Sequence, residues 1–200
     1  DRSIEFHSHY GMHYQTRIPK FGRDLSYHFP SCDLLVCGAS NQVWRLNLEQ
    51  GRFMNPLETN LSEINTVRIS NQHQLFAFGG SDGKVEFWHP TEKKCLASID
   101  VAQDLVKVID SSLLETFPQI TSLEFGGDGL SFLAGTSTGQ VILYDLRKAS
   151  PILVKDHQYG FPIKSLHFHS SGRVISSDTK IVKMWNQESV IINLISSLTR

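Results

Sequence analysis

The feature that most constrains this chain is a short segment that recurs along its whole length. A β-branched residue, followed two or three places later by a large one and then by a polar one, stands at Ile4–Ser8, Val43–Asn47, Val85–His89, Val141–Asp145 and Val182–Asn186. The segments begin at positions 4, 43, 85, 141 and 182, so the steps between them are 39, 42, 56 and 41 residues. A second pattern keeps register with the first. Alternating apolar pairs at Leu25/Tyr27, Val67/Ile69, Leu123/Phe125 and Leu166/Phe168 precede the next recurring segment by 18, 18, 18 and 16 residues. Two unrelated patterns locked together over four copies define a repeat, and self-similarity at a period of ~40–45 residues marks a unit that buries its faces only by stacking on its neighbours.

Within each unit the residues divide into four short strands. An alternating strand such as Thr121–Phe125 leads into a turn, for example Gly126–Gly129 or Ser170–Gly172. An apolar run follows, as in Leu34–Cys37, Leu75–Phe78 or Phe132–Ala134, and then a polar hairpin such as Gly79–Gly83, Gly135–Gly139 or Ser176–Lys180. Glycine and aspartate suit these hairpins because one tolerates positive φ and the other bonds its own backbone. The recurring segment supplies the third strand, and Arg52–Met54, Cys95–Ile99 and Ile152–Val154 the fourth. The second strands are apolar on consecutive residues, which is expected of a sheet covered on both faces. A β-propeller, which stacks each sheet between two others, meets that condition; a two-layer sandwich would alternate more cleanly. The expected fold is therefore all-β, a partial propeller of about four to five four-stranded blades in an open ring, spanning residues 1–189, with an atypical or truncated end at 190–200. The long third step carries an insertion, about Val101 to Thr116, whose apolar positions 101, 105, 108, 109 and 113 fit one helical face or an inter-blade loop.

Charge and chemistry narrow the function. The formal net charge is −1 with a pI near 6.8, so any contact with nucleic acid must come from a local patch. The three cysteines form no CxxC pair and are expected as free thiols, largely buried, in a reducing compartment. No apolar run approaches the ~20 residues that cross a bilayer, and the start Asp-Arg-Ser-Ile-Glu-Phe resembles a cut inside a longer protein. There is no GxxxxGK, GxGxxG or HExxH motif, and GxSxG occurs only in the polar hairpins Gly79–Gly83 and Gly135–Gly139, between two strands and not as a strand-to-helix nucleophile elbow. No catalytic residue, cofactor, metal or small-molecule substrate is therefore expected. Apart from Glu5, no Cys, Asp or Glu stands at metal-ligand spacing beside His7, His9 and His13, which are expected to be exposed or to face a partner.

The dipeptides Trp88-His89, Tyr144-Asp145 and Trp185-Asn186 resemble degenerate endings of WD repeats. By that resemblance His157, Ser176, Asp178 and Trp185 form a buried structural hydrogen-bond chain. More specifically, Thr16–Asp24, Arg45–Arg52, Thr138–Arg147, Val154–Gly160 and Ile181–Asn186 resemble the nucleolar protein 10 family of WD-repeat proteins. The resemblance runs over nearly the whole chain and implies a nucleolar, non-enzymatic scaffold in small-ribosomal-subunit assembly and pre-rRNA processing, contacting assembly factors and pre-rRNA. It departs from a full family propeller of about seven blades in lacking the first blades and the charged C-terminal extension. Two clusters are the candidate contact sites. Arg17, Lys20 and Arg23 around Phe21 suit phosphate with a stacked base, although Asp24 offsets some of the charge. Lys155, Tyr159 and Lys164 flank a Gly/Pro loop of the kind that carries function on rigid scaffolds. The rival readings are a propeller substrate receptor of a ubiquitin ligase or peptide reader and, from another class, a propeller hydrolase.

Overall fold

The computed structural model describes residues 2–108, 116–148 and 150–187. Within them the chain forms five antiparallel sheets in sequence order. The first has β1 (Ser3–Ser8) and β2 (Gly11–Arg17). The second has β3 (Gly22–His28), β4 (Asp33–Gly38), β5 (Gln42–Asn47) and β6 (Arg52–Glu58), and the third β7 (Ile64–Ile69), β8 (Phe76–Gly80), β9 (Lys84–His89) and β10 (Lys94–Asp100). After the helix α1 (Val101–Val108) comes the fourth, with β11 (Ile120–Phe125), β12 (Ser131–Thr136), β13 (Gln140–Asp145) and β14 (Pro151–Asp156). The fifth has β15 (Ser165–Phe168), β16 (Arg173–Ser177) and β17 (Val182–Asn186). Within each sheet every strand pairs with the next in sequence, and the recurring segments are β1, β5, β9, β13 and β17.

The sheets stack. From the third sheet on, the first strand of each sheet lies against the first strand of the one before it, β7 on β3, β11 on β7 and β15 on β11. Sheets joined mainly along their first strands, with their fourth strands apart, radiate from a common axis, which is the geometry of a propeller. Five sheets leave four gaps, and a separate core cluster fills each. Ile4, Ile18, Leu34, Val36, Trp44 and Leu46 fill the first gap, and Leu35, Cys37 and Val43 meet Ile64, Val67 and Phe78 in the second. Ala77 and Phe87 meet Leu123, Phe132 and Tyr144 in the third, and Leu133 and Leu143 meet Leu166, Val174 and Trp185 in the fourth. Alternate residues of one strand thus feed opposite gaps, which is why the second strands are apolar without a break.

A small residue on the second strand recurs where the next sheet enters. A Cβ placed on Gly79 would stand 2.5 Å from Ile120 Cγ2, and one on Gly135 would stand 2.8 Å from Ile163 Cγ2. Ile120 and Ile163 occupy the same place in successive units, and both are fully buried. Polar links along the first strands add direction. Asp24 Oδ2 accepts from Thr66 Oγ1 at 2.8 Å, the Val67 N–H at 3.0 Å and Arg68 Nη1 at 2.8 Å. Arg68 Nε also faces Glu124 at 3.6 Å, whose other oxygen faces His167 Nδ1 at 3.7 Å. One ionisable side chain from each of four sheets therefore joins a continuous ladder of contacts. Burial pushes the Glu124 carboxyl up, against the pull of Arg68 and His167.

Among the described residues three sheets have four strands, the first has two and the fifth has three, in agreement with a partial propeller of about four to five blades. Two expectations need correction. The first half of the insertion is α1, started by Asp100 Oδ1 accepting the Gln103 N–H at 2.9 Å and held by fully buried Val101 and Leu105, but Val108 is exposed; positions 109 and 113 lie outside the described residues. Of the cysteines only Cys37 is buried, where burial raises its thiol; Cys32 is half-buried and Cys95 is exposed on the outer strand β10. Sequence polarity did not separate inner from outer strands. The atypical end at 190–200 also lies outside the described residues, as does the boundary at 189.

Candidate interaction face

Strand direction alone sorts the loops. In an up-and-down sheet, the links between second and third strands and the links from a fourth strand to the next sheet emerge at one end. Turns between first and second and between third and fourth strands emerge at the other. The backbone ties the linkers of the first end together: the Ala39 N–H donates to Phe21 O at 3.1 Å, that of Ser81 to Glu63 O at 3.0 Å, and that of His157 to Gly139 O at 3.0 Å. Both candidate clusters lie at this end, on the linker before the second sheet and on the linker before the fifth. Two other linkers, Thr59–Glu63 and the one carrying α1, stand between them. The structure therefore shares one end between the clusters without joining them into one patch.

In the first cluster Arg17 closes β2, and Lys20 and Phe21 are exposed on the linker. The Ile18 N–H donates to Arg2 O at 2.9 Å, and the Arg2 guanidinium lies over the Phe21 ring at 4.8 Å. Arg2 thus covers one face of the ring and adds a cation that motif reading missed; β1 begins at this same end, so topology would have found it. Arg23 does not join Arg17 and Lys20. Its Nη2 pairs with Glu63 Oε2 at 2.6 Å and its Nη1 donates to Asn65 Oδ1 at 2.5 Å, which spends its charge on the neighbouring sheet. Asp24 points into the gap between sheets and does not offset the linker charge.

In the second cluster Tyr159 is 60 % exposed, between two residues with left-handed backbone, Gln158 (φ 70°) and Gly160 (φ 64°). Gly160 adopts that conformation without steric cost, and the Gln158 N–H donates to Asp156 Oδ1 at 2.8 Å, so the turn pushes the phenol outward. Tyr159 borders a cleft of about 380 Å³ with Thr116, Thr138, Gln140 and Asp156. Lys164 is exposed, whereas Lys155 is half-buried within β14. Two further lysines arrive from the last hairpin and strand. Lys180 lies 4.4 Å from the centre of the Phe161 ring, and Lys183 Nζ donates to His157 O at 3.2 Å.

Beneath this linker sit the four residues expected as a structural chain. His157 Nδ1 is 2.9 Å from Asp178 Oδ2, His157 Nε2 is 2.7 Å from Ser176 Oγ, and Trp185 Nε1 donates to Ser176 Oγ at 3.2 Å. Burial pushes the Asp178 carboxyl up, but the Ile181 and Lys180 N–H groups and His157 outweigh it and hold the pKa at about 2. The constellation resembles a hydrolase triad in composition only. Ser176 and His157 are fully buried and the Trp185 indole occupies the hydroxyl, so no substrate reaches the oxygen. The other sheets solve the same problem differently: in the third, Glu86 accepts from Trp88 Nε1 at 2.8 Å and from the Asn60 N–H at 3.2 Å.

His7 and His9 are exposed beside each other and His13 lies across the hairpin; His7 Nε2 is 3.2 Å from Glu5 Oε2. Among the described residues no group of three His, Cys, Asp or Glu side chains converges as a metal site, and no helix is long and apolar enough to cross a membrane.

Comparison with known proteins adds a family. Residues 1–198 match the model described as Nucleolar protein 10-like, N-terminal domain. Similar proteins include Nucleolar protein 10 of Homo sapiens, 54 % identical over 94 % of this chain and 27 % of that protein. The Danio rerio protein of the same name is 53 % identical over 94 % of this chain and 26 % of its own length. Ribosome biogenesis protein ENP2 of Saccharomyces cerevisiae is 38 % identical over 94 % of this chain and 26 % of its own. The chain thus spans about a quarter of the length of these relatives. Among solved structures, the computationally designed Ika4 protein shares the fold, with a TM-score of 0.63 at 16 % identity over 84 % of this chain and 92 % of that one.

Proposed function

This chain belongs to the family described as nucleolar protein 10-like, N-terminal domain, and from that footing we propose that it works in the nucleolus as a rigid scaffold in small-ribosomal-subunit assembly and pre-rRNA processing. The observation that carries this reading is the family membership together with the names of its relatives, nucleolar protein 10 and ribosome biogenesis protein. The mechanism is geometric. Stacked sheets hold their linkers at fixed spacing, and exposed side chains on them, Arg17, Lys20, Phe21, Tyr159 and Lys164, contact assembly factors and pre-rRNA. Lys155 supports the second linker from within its strand. The role is binding rather than catalysis, needs no cofactor, and agrees with the sealed state of the Asp178–His157–Ser176 group.

The test is association of the full-length protein with precursor particles in nuclear extract. Arg17→Glu with Lys20→Glu is expected to reduce recovery of pre-rRNA and assembly factors at least about tenfold at physiological salt, since charge reversal turns phosphate attraction into repulsion. Unchanged recovery would remove those residues from the contact surface. Recovery of cullin adaptors without pre-rRNA would replace the scaffold reading by the substrate-receptor one.

A further inference from the structure

The linker that carries Tyr159 has two sides of unlike chemistry. Gln140 and Asp156 are paired in register at the ends of β13 and β14, so their side chains share one face of the fourth sheet. It is the face turned to the third sheet, because Ile142 and Val154, two places along each strand, pack into the core shared with Phe87. Lys155 alternates onto the other face, with Val141 and Leu153. Lys183 approaches from the fifth sheet, and its Nζ meets Asp156 O at 3.4 Å and His157 O at 3.2 Å, not the carboxylate. Of the side chains around the cleft of about 380 Å³, those of Thr116, Thr138, Gln140, Asp156, Gln158 and Tyr159, only that of Asp156 is charged.

The inner wall of this cleft is fixed. Thr138 and Gln140 are 9 % and 7 % exposed; Thr138 Oγ1 donates to Gln140 Oε1, and Thr136 Oγ1 lies 3.1 Å from the same oxygen. Hydroxyls and amide are neutral, so the wall offers hydrogen bonds and no countercharge. At the rim the Asp156 carboxylate is exposed. Its Oδ1 accepts the Gln158 N–H at 2.8 Å, and the carboxylate joins no ion pair among the described residues. The Tyr159 ring borders the same space, held outward by the left-handed turn at Gln158 and Gly160. A carboxylate that is the one charge of a cleft repels a phosphodiester and attracts a cation, and the face of a neighbouring aromatic ring favours the same sign.

We propose that this cleft takes an arginine side chain of a protein partner, its guanidinium paired with Asp156 and laid against the Tyr159 ring. Arginine suits the site better than lysine: its planar fork matches a carboxylate, and its weakly hydrated plane stacks on an aromatic face. The inference rests on the scaffold reading and deepens it, because it assigns the Tyr159 linker to a basic segment of a protein and leaves pre-rRNA to the Arg17 and Lys20 linker.

The test is a titration of the intact chain with N-acetyl-arginine amide, read by nuclear magnetic resonance at the backbone amides of Gln158 and Gly160. A Kd of the order of 1 mM is expected for so small a probe. The citrulline derivative, which has nearly the same shape without the charge, should bind at least about tenfold more weakly. Asp156→Asn keeps an oxygen for the Gln158 N–H and so keeps the turn; it should weaken the arginine probe about tenfold and leave the melting temperature within about 2 °C. Tyr159→Ala should weaken it about threefold, and Tyr159→Phe should not. The proposal is overturned by no binding to the unmutated chain, by equal binding of the citrulline or lysine derivative, or by full affinity in Asp156→Asn. Tighter binding of uridine monophosphate would overturn it too, and would give the cleft to RNA. The precursor-particle recovery described above reads the Arg17/Lys20 end, so failure here leaves that result standing and the reverse also holds.

Discussion

His157 shows how a single side chain can look catalytic and be architectural. Its ring closes a chain from Asp178 through Ser176 to Trp185 with every member in reach of a partner, so deleting it leaves two buried oxygens short of a bond. His157→Ala is expected to cost on the order of 3 kcal/mol, which lowers the melting temperature by roughly 6–12 °C in a calorimetric scan. Asp178 adds a pH signature. Its folded pKa of about 2 lies below the ordinary 3.8, so its stabilisation is full above about pH 4 and is lost as the pH falls toward 2. Asp178→Asn is expected to flatten that acid limb by about one proton in an unfolding series, on top of a lower stability at neutral pH. These four residues were legible only through the resemblance of their unit to a WD repeat, which implies such a chain. Arg23 was not, since its partners Glu63 and Asn65 lie 40 and 42 residues away and nothing in a local motif announces them.

At the scale of the strands, the repeat predicted which segments pair, because apolar runs and turn residues encode strand order directly. What it did not encode is how far each strand lies from the axis. Leu25 and Tyr27 keep the alternating pattern of their counterparts, yet they are 54 % and 43 % exposed, because β1 and β2 cover the Trp44 and Leu46 side of that sheet and leave β3 open. Their equivalents Val67 and Leu123 are buried, being flanked by a complete sheet. The same distance from local pattern hides the side-chain ladder from Asp24 to His167, which only stacking assembles. The packing argument has a direct check at Gly79, where an added methyl meets Ile120 and Thr66 side chains. Gly79→Ala is expected to destabilise by about 1–3 kcal/mol, whereas Gly127→Ala, with open space around the position, should leave the denaturant midpoint almost unmoved. Equal effects at the two sites would mean that the sheets do not approach as closely as described.

Over the whole molecule, each complete sheet is stable by virtue of the next, and among the described residues Leu25, Tyr27 and Phe29 of the second sheet and Val182 and Met184 of the fifth are exposed apolar side chains. Stacking order fixes where every linker emerges, and that placement, more than any single residue, is what a scaffold offers its partners. Sequence alone carried the class of fold; it could not carry the links between sheets, such as Arg23 with Glu63 and Asn65, whose members come from separate repeats. The most direct trial of the platform idea is ultraviolet crosslinking of the full-length protein within precursor particles, followed by mapping of the crosslinked peptides. Crosslinks to pre-rRNA or assembly factors concentrated on the linkers around residues 17–21 and 158–164 are the predicted result. Particles that yield crosslinks only outside the stacked sheets would contradict the account.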